Sequence, residues 1–365
     1  ALTRSKMINK SALGKGIILD CACGSGIQLA AHAAHLQRAA LGIELDSQRA
    51  LASAVNLQTI AHSMDQHDSQ RMNDTRVLCG DGRDGKGALE SLQQNLELSQ
   101  MPEIALLHLD PARPRNSREH GLEEMAPRLD EIFTGWKPFL SEGKRGPSLL
   151  LDLSPRLSHQ QRLQVESMVD SVWPQIGRTW VWTSRGRGRV DRLALWLGSI
   201  SIPNVARRYV RIPPNLQDEP LIIDGGESIQ SGDGIPQKSR RPPRKGERVS
   251  LLDAALVESG LANVWLNSVT KSEEIHWGVV GGRRPQIHHD HPLRLEGNNR
   301  LLVQATGKIA TLAHMNLTLK EVDALVRVAL DNDIHKLTVR VSLDPEVQPK
   351  AVSYTHLRAH ETRHD

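Results

Sequence analysis

Apolar and polar positions alternate between two periods before residue 200. Short apolar or β-rich runs at Ile17–Asp20, Leu41–Leu45, Arg76–Cys79, Ile104–Asp110, Ser148–Leu153, Arg178–Thr183 and Arg192–Gly198 predict seven strands. Between the first six, apolar residues recur at helical spacing, as in the Ala- and Leu-rich stretch Gln28–Leu41. The last two runs are separated only by Ser184–Asp191, too short for a helical crossover, so they should form an antiparallel hairpin. The pattern predicts an α/β domain with a largely parallel sheet closed by one antiparallel strand.

After residue 199 the periodicity weakens. Ile202-Pro203 and Ile212-Pro213-Pro214 interrupt it, and Gly225–Arg248 is rich in Gly, Ser and Pro, with a basic cluster from Lys238 to Lys245. That cluster reads either as a flexible arm contacting phosphates or as a solvated insertion. Order resumes at Ser250-Leu251-Leu252-Asp253, a variant capping box that predicts a helix through Ser259 stopped by Gly260. Thr318 should cap a helix over Leu319–Asp331, with Val322, Leu325, Val326 and Leu330 on one face, and Lys336–Val341 alternates as a strand. The expected organisation is a domain over 1–202, a partly disordered basic linker over 203–249 and a smaller α+β domain over 250–350.

One strand end carries recognisable chemistry. Asp20-Cys21-Ala22-Cys23-Gly24-Ser25-Gly26 follows the first strand and opens a helix, and glycines there let the chain turn sharply and expose main-chain N–H groups to a ligand. A dinucleotide fingerprint would put a third glycine at Leu29. The Asp-x-x-x-Gly-x-Gly spacing instead resembles the S-adenosyl-L-methionine motif of class I methyltransferases, which implies a Rossmann-like seven-stranded sheet whose last strand is antiparallel. On that resemblance Asp20, Cys23, Gly24 and Gly26 belong to the cofactor turn. Glu44, ending the second strand, would accept both ribose hydroxyls, although a surface acid before Asp46 is the plainer alternative. Asp81 would accept from the adenine amino group, or simply form a Gly-Asp-Gly turn.

The fourth strand ends in Leu109-Asp110-Pro111-Ala112-Arg113-Pro114, on the edge where open α/β sheets bind ligands. Class I enzymes that methylate exocyclic nitrogens of nucleic acids carry an acid or amide, two prolines and an aromatic at this place. The chain keeps Asp110 and Pro111 but has Ala112 and Arg113 where the second proline and the aromatic would stand. Base stacking is therefore not assured; Arg113 would hold a phosphate or stack its guanidinium on a base. The alternative for Asp110 is a strand-end acid capping the next segment.

Four segments extend the likeness: Asp110-Pro111-Ala112-Arg113, Met125-Ala126-Pro127-Arg128-Leu129, Leu153-Ser154-Pro155-Arg156-Leu157 and Gly188–Gly198. In order and spacing they resemble a family of S-adenosylmethionine-dependent methyltransferases with a C-terminal THUMP-like domain. Arg128 replaces a proline usual in that family's middle motif, and the family's helical N-terminal extension is absent. The resemblance implies S-adenosyl-L-methionine as cofactor, Asp110, Pro111 and Arg113 at the catalytic position, and an RNA substrate, tRNA or rRNA, with guanine N2 the leading acceptor. Two alternatives stand beside it: a methyltransferase for a small molecule or protein, and a non-catalytic RNA-binding protein that kept the cofactor fold.

Composition adjusts this picture modestly. The net charge of +4 and the pI near 9.0 permit a polyanionic partner without demanding one. The arginines of Arg185-Gly186-Arg187-Gly188-Arg189 either touch RNA or form a solvated turn. Three cysteines, Cys21, Cys23 and Cys79, form no disulfide framework and point to a reducing cytoplasm. Cys21 and Cys23 have the wrong spacing for zinc and read as small buried residues beside a ligand. His288-His289-Asp290-His291, bracketed by Pro285 and Pro292, reads as an exposed turn rather than a metal site. Trp180, Trp182 and Trp196 lie on predicted strands and should pack the core.

No apolar run is long enough to span a bilayer and no signal-peptide core is visible, so neither membrane nor metal is expected; the sequence does not define an oligomeric state. The chain begins at Ala1 without a Met, which suggests a missing N-terminal piece. At the other end Ser353–Asp365 resembles a translated sequencing adapter, so 351–365 is set apart from the fold.

Overall fold

A computed structural model describes residues 2–63, 74–112, 121–186, 188–226, 240–270, 275–314 and 321–334. Its main sheet contains β1 (Ile17–Asp20), β2 (Ala40–Glu44), β3 (Arg76–Cys79), β4 (Ile104–Leu109), β5 (Leu149–Leu153), β6 (Arg178–Ser184) and β7 (Arg192–Leu197). Each lies within one residue of its predicted ends. The strand order is β3-β2-β1-β4-β5-β7-β6, continued by β8 and β9. Neighbours from β3 to β5 pair in parallel, while β7 runs antiparallel to both β5 and β6. Over the first seven strands this is the expected arrangement, a Rossmann-like sheet with one reversed strand; the sheet itself has nine strands rather than seven.

The central strands read as continuous apolar runs because helices cover both their faces. Ile18, Leu19, Leu106, Leu107, Leu150 and Leu151 are fully buried. The crossover helices begin where the sequence supplies a cap. Asp46 caps Ser47–His62 by accepting from the Arg49 N–H, and Ser158 with Gln161 forms a capping box for His159–Val172. Trp180, Trp182 and Trp196 are buried as expected.

Part of the expected linker is sheet instead. β8 (Arg207–Arg211) pairs in parallel with β6, and β9 (Leu221–Gly225) pairs antiparallel with β8. The arginines of β8 disguised it, since they suggest solvent; in the fold each finds a partner. Arg208 binds Asp224 at 2.7 Å, Arg207 donates to the Ser259 carbonyl at 3.1 Å and Arg211 donates to the Leu301 carbonyl at 3.1 Å. Tyr209 and Val210 between them are fully buried.

A second, antiparallel sheet has the order β11-β12-β10-β13, with β10 at Arg248–Leu252, β11 at Ile275–Val279, β12 at Gln286–His289 and β13 at Val303–Lys308. Two expectations are corrected here. Ser250 does not open a helix but sits inside β10, where its hydroxyl meets His289 Nε2 and Thr306 Oγ1, each at 2.9 Å. The helix starts at Ala254, and Asp253 caps it by accepting from the Ala255 N–H. His288 and His289 are not in an exposed turn: both are buried in β12, because Pro285 and Pro292 flank a short strand rather than interrupting it. A helix does form over Val322–Leu330. Thr318 and the predicted strand Lys336–Val341 lie outside the described residues, as do Lys238 and Ser239 of the basic cluster.

The two sheets share one apolar cluster, which joins Trp182 and Tyr209 of the first to Leu252, Leu256 and Trp265 beside the second. A polar joint reinforces it: Ser184 Oγ donates to Asp253 Oδ2 at 2.7 Å, and Arg211 Nε stands 3.8 Å from the same carboxylate. Among the described residues no helix is long and apolar enough to cross a membrane.

Candidate cofactor and acceptor site

The carboxyl ends of β1 to β5 lie on one edge of the sheet, and the sequence-predicted residues gather there. At the end of β1 the chain turns through Gly24 (φ 52) and Gly26 (φ 74) into the helix Ile27–Leu36. Left-handed backbone explains glycine at both positions. Their surroundings differ, however. A Cβ on Gly26 would meet Ser53 Oγ at 2.3 Å, whereas one on Gly24 would meet nothing within 4 Å. Gly80, at the end of β3, is likewise open. Open space above Gly24 is what a ligand approaching the main chain requires.

Glu44 closes this corner from β2. It is buried, with Oε2 accepting from the Gly24 N–H at 3.1 Å and Oε1 accepting from the Asp46 N–H at 3.1 Å. Its carboxylate is therefore fixed at the turn by main-chain donors. Asp81 is arranged differently: both oxygens accept from Arg83, and that hydrogen bonding holds its carboxyl below the ordinary value. Arg83 also reaches Glu131, and the Trp136 indole donates to the Gly82 carbonyl at 2.7 Å. The Gly-Asp-Gly turn is thus a braced turn.

Cys21 and Cys23 are buried and unpaired, while Cys79 is exposed. Burial, and after it the Asp20 charge, pushes the Cys23 thiol up to about 12 and raises Cys21 as well. Neither is a thiolate at neutral pH. Among the described residues no group of His, Cys, Asp and Glu could hold a metal ion.

Asp20 turns inward rather than toward solvent. Its Oδ1 accepts from the Ala22 N–H at 3.2 Å, and its Oδ2 meets His108 Nδ1 at 2.8 Å. The opposite ring nitrogen, His108 Nε2, meets Asp152 Oδ2 at 3.1 Å. Burial alone would lower the His108 pKa, but the Asp20 charge, then hydrogen bonds to Asp152 and Asp20, lift it to about 10. The ring is an imidazolium between two carboxylates, donating from both nitrogens. Asp152 is in turn bound by Arg4 of the helix Leu2–Lys6, and Arg4 Nη2 also donates to Gln28 at 2.5 Å. Burial would raise Asp152; Arg4 and His108 hold it well below the usual carboxylate range. His32 lies tilted against His108, ring centroids 5.3 Å apart, and is kept neutral by burial and by that neighbouring charge.

Asp110 lies just beyond β4, about half exposed, and its Oδ2 accepts from Arg192 Nη1 at 2.6 Å. The same Arg192 nitrogen is 3.6 Å from Asp152 Oδ2. Charged groups thus run unbroken from the turn after β1 to the corner after β4, through Asp20, His108, Asp152, Arg192 and Asp110. Pro111 is buried after Asp110. Ala112 exchanges two main-chain hydrogen bonds with Ala126, each 3.0 Å, which lays Met125–Leu129 against the Asp110 loop. Arg113 lies outside the described residues, as does Arg187 of the hairpin. Arg185 and Arg189 of that hairpin both pair with Asp191, at 3.2 and 3.4 Å.

Sequence reasoning missed Arg4, His108, Asp152 and Arg192. A signal was present for two of them: His108 and Asp152 are single polar residues within the apolar runs of β4 and β5, and a lone titratable group in a doubly covered strand must find a partner.

No protein-family model and no curated protein matches the sequence. Solved structures similar to it include an rRNA methylase from Streptococcus thermophilus, 11% identical over 54% of this chain and 92% of that chain, with a TM-score of 0.31. Human methyltransferase-like protein 13 in complex with SAH is 16% identical over 55% of this chain and 80% of its own, with a TM-score of 0.35. The O-methyltransferase from Bacillus cereus in complex with SAH is 15% identical over 51% and 74%, with a TM-score of 0.32.

Proposed function

We propose that this chain is an S-adenosyl-L-methionine-dependent methyltransferase that acts on RNA, tRNA or rRNA, with the exocyclic amine of guanine the leading acceptor. The observation that carries the reading is the open cofactor corner on a β3-β2-β1-β4-β5-β7-β6 sheet: Gly24 with free space above it, and Glu44 fixed beside it. The residues fit the cofactor. Gly24 would admit it to the main chain, Gly26 makes the turn against Ser53, Glu44 would accept from its ribose hydroxyls, Asp20 shapes the turn with Cys23 packed beneath, and Asp81 would border the adenine end.

When bound, the cofactor supplies a methyl group already activated on a sulfonium. The protein's task is mainly positional. Asp110 would accept a hydrogen bond from the acceptor amine, orient its lone pair and receive the proton it sheds. Arg192 holds that carboxylate in place from β7. Buried Pro111 and the Ala112–Ala126 pairing anchor the start of the loop beside Asp110. Arg113 would engage a phosphate or a base. The mild positive charge and the likeness of the four motifs to THUMP-like methyltransferases support RNA as the acceptor, with the second sheet as the THUMP-like unit acting in the cytoplasm. Incubation with methyl-labelled cofactor and total RNA, followed by mass spectrometry of digested RNA, tests this: label should enter a guanosine derivative, and label confined to small molecules or protein would refute it.

One observation favours a second reading, a non-catalytic RNA-binding protein. Asp110 is already ion-paired, and Arg113 stands in the sequence where the aromatic would be. Calorimetric titration separates the two, since failure of the folded full chain to bind S-adenosyl-L-methionine removes the enzyme reading.

A further inference from the structure

Away from the cofactor corner, a groove of about 770 Å³ runs beside the helix His159–Val172, between it, β6 and the segment leading into β8. A hollow of about 350 Å³ continues it to Pro155-Arg156-Leu157, just past the end of β5. His159, Arg162 and Arg207 line both. From the helix the groove takes His159, Arg162, Leu163 and Glu166, so it follows the first two turns for about 11 Å. Its far end is marked by Arg145 and Arg178.

The charged side chains on the walls are mostly arginine, set among apolar residues such as Leu163, Ile176 and Ile202, and the acids are Glu166 in the groove and Glu258 in the hollow. Glu166 accepts from the Trp180 indole N–H at 2.6 Å and lies 3.8 Å from Arg178. The centre of the groove is unusual. Arg162 and Arg207 approach the same indole, their guanidinium carbons 5.7 and 5.9 Å from the Trp182 ring centroid. Trp182 is buried, so its ring is a floor that supports both cations rather than a platform for a base. Two guanidiniums on one ring repel each other; burial, and then the Arg162 charge, hold Arg207 below its ordinary value. A phosphate bridging them would relieve that repulsion with fork-shaped hydrogen bonds. The near end of the groove leaves the sheet one strand away from Asp110, since β4 and β5 are neighbours about 4.8 Å apart.

We propose that this groove takes the sugar–phosphate backbone of a single-stranded RNA segment, leading it from the Asp110 corner along the helix His159–Val172, with Arg162 and Arg207 as a paired phosphate clamp. The proposal rests on the RNA reading above. Its basis is the juxtaposition of a groove whose charged lining is mostly arginine, a paired guanidinium site on one indole and an opening beside the Asp110 corner.

The full chain is titrated into a fluorescein-labelled single-stranded RNA of about 16 nucleotides, and anisotropy is read at increasing KCl. Replacing both residues, Arg162→Ala with Arg207→Ala, should weaken binding for all sequences and reduce the slope of log affinity against log salt by about 1.4, for two contacts at about 0.7 each. The pair Arg162→Gln with Arg207→Gln keeps the aliphatic stems and removes only charge, so it decides the matter if the alanine pair does not fold. Arg162→Lys with Arg207→Lys should restore most of the slope. Circular dichroism and calorimetric affinity for S-adenosyl-L-methionine should be unchanged in the variants used. A wild-type slope in the folded Gln pair overturns the clamp. Absence of wild-type RNA binding overturns it too, and labelled methyl transfer to total RNA by the wild type then shows separately whether the methyltransferase reading stands.

Discussion

His108 joins Asp20 to Asp152, with ring nitrogens 2.8 and 3.1 Å from the two carboxylates, across three neighbouring strands at the heart of the sheet. Removing the cation leaves two buried acids facing each other, with Arg4 and the more distant Arg192 both on the Asp152 side. His108→Gln should therefore destabilise the fold by about 3–5 kcal/mol, read by urea denaturation at pH 7. A change under 1 kcal/mol would show that the chain of charges contributes little.

The same residue gives stability a direction in pH. Its pKa rises from 6.5 to about 10 on folding, so its contribution is complete below the unfolded value and disappears as pH rises toward 10. Wild-type stability should fall between pH 6.5 and 8.5, and the fall should be nearly absent in His108→Gln. The window stays below pH 9 because Cys21 and Cys23, also raised on folding, begin to remove stability above their unfolded value of 9.0.

Two glycines at the same edge should respond oppositely to alanine. A Cβ on Gly82 would lie 2.1 Å from the Cys21 carbonyl oxygen, and backbone cannot move aside cheaply. Gly82→Ala should lower the melting temperature without specifically affecting cofactor affinity. At Gly24 the added methyl enters empty space, so Gly24→Ala should cost only the left-handed strain, about 1–2 kcal/mol, yet weaken S-adenosyl-L-methionine binding at least tenfold by calorimetry. Unchanged affinity in Gly24→Ala would remove this turn from the cofactor site.

At the acceptor corner, Asp110→Asn should reduce methyl transfer by at least about 100-fold while leaving cofactor affinity within a factor of about two. Its partner Arg192 is half exposed, so loss of the ion pair through Arg192→Ala should cost no more than about 1 kcal/mol of stability. Retained turnover in Asp110→Asn would exclude the acid from the reaction.

The thiols offer a simple check on the packing of the turn. Ellman's reagent at pH 8 should modify Cys79 rapidly in the native chain and reach Cys21 and Cys23 only after denaturation. Protection of Cys79 in place of the other two would contradict the placement of β1 and β3.

Much of the first sheet was legible because its strands are buried on both faces and therefore apolar throughout, and because Ser184–Asp191 is too short for any link but a hairpin. Other features were hidden for stated physical reasons. β8 is written in arginines whose partners, Asp224 and the carbonyls of Ser259 and Leu301, are distant in sequence. Ser250 resembles a helix cap until its partners His289 and Thr306 are known. The site was legible as separate strand ends, at Asp20, Glu44 and Asp110. The links between them, His108, Asp152, Arg192 and Arg4, depend on neighbour relations that no single segment carries.

The joint at Asp253 has a mechanical meaning. Ser184 ends β6 at the reactive edge of the first sheet, and Asp253 begins the helix that follows the first strand of the second, so their hydrogen bond and the shared apolar cluster weld the two units together. A molecule gripped by both sheets would have its reach set by the spacing of the weld and not by the slack of a tether. Such a protein would select its target as a ruler does, by length.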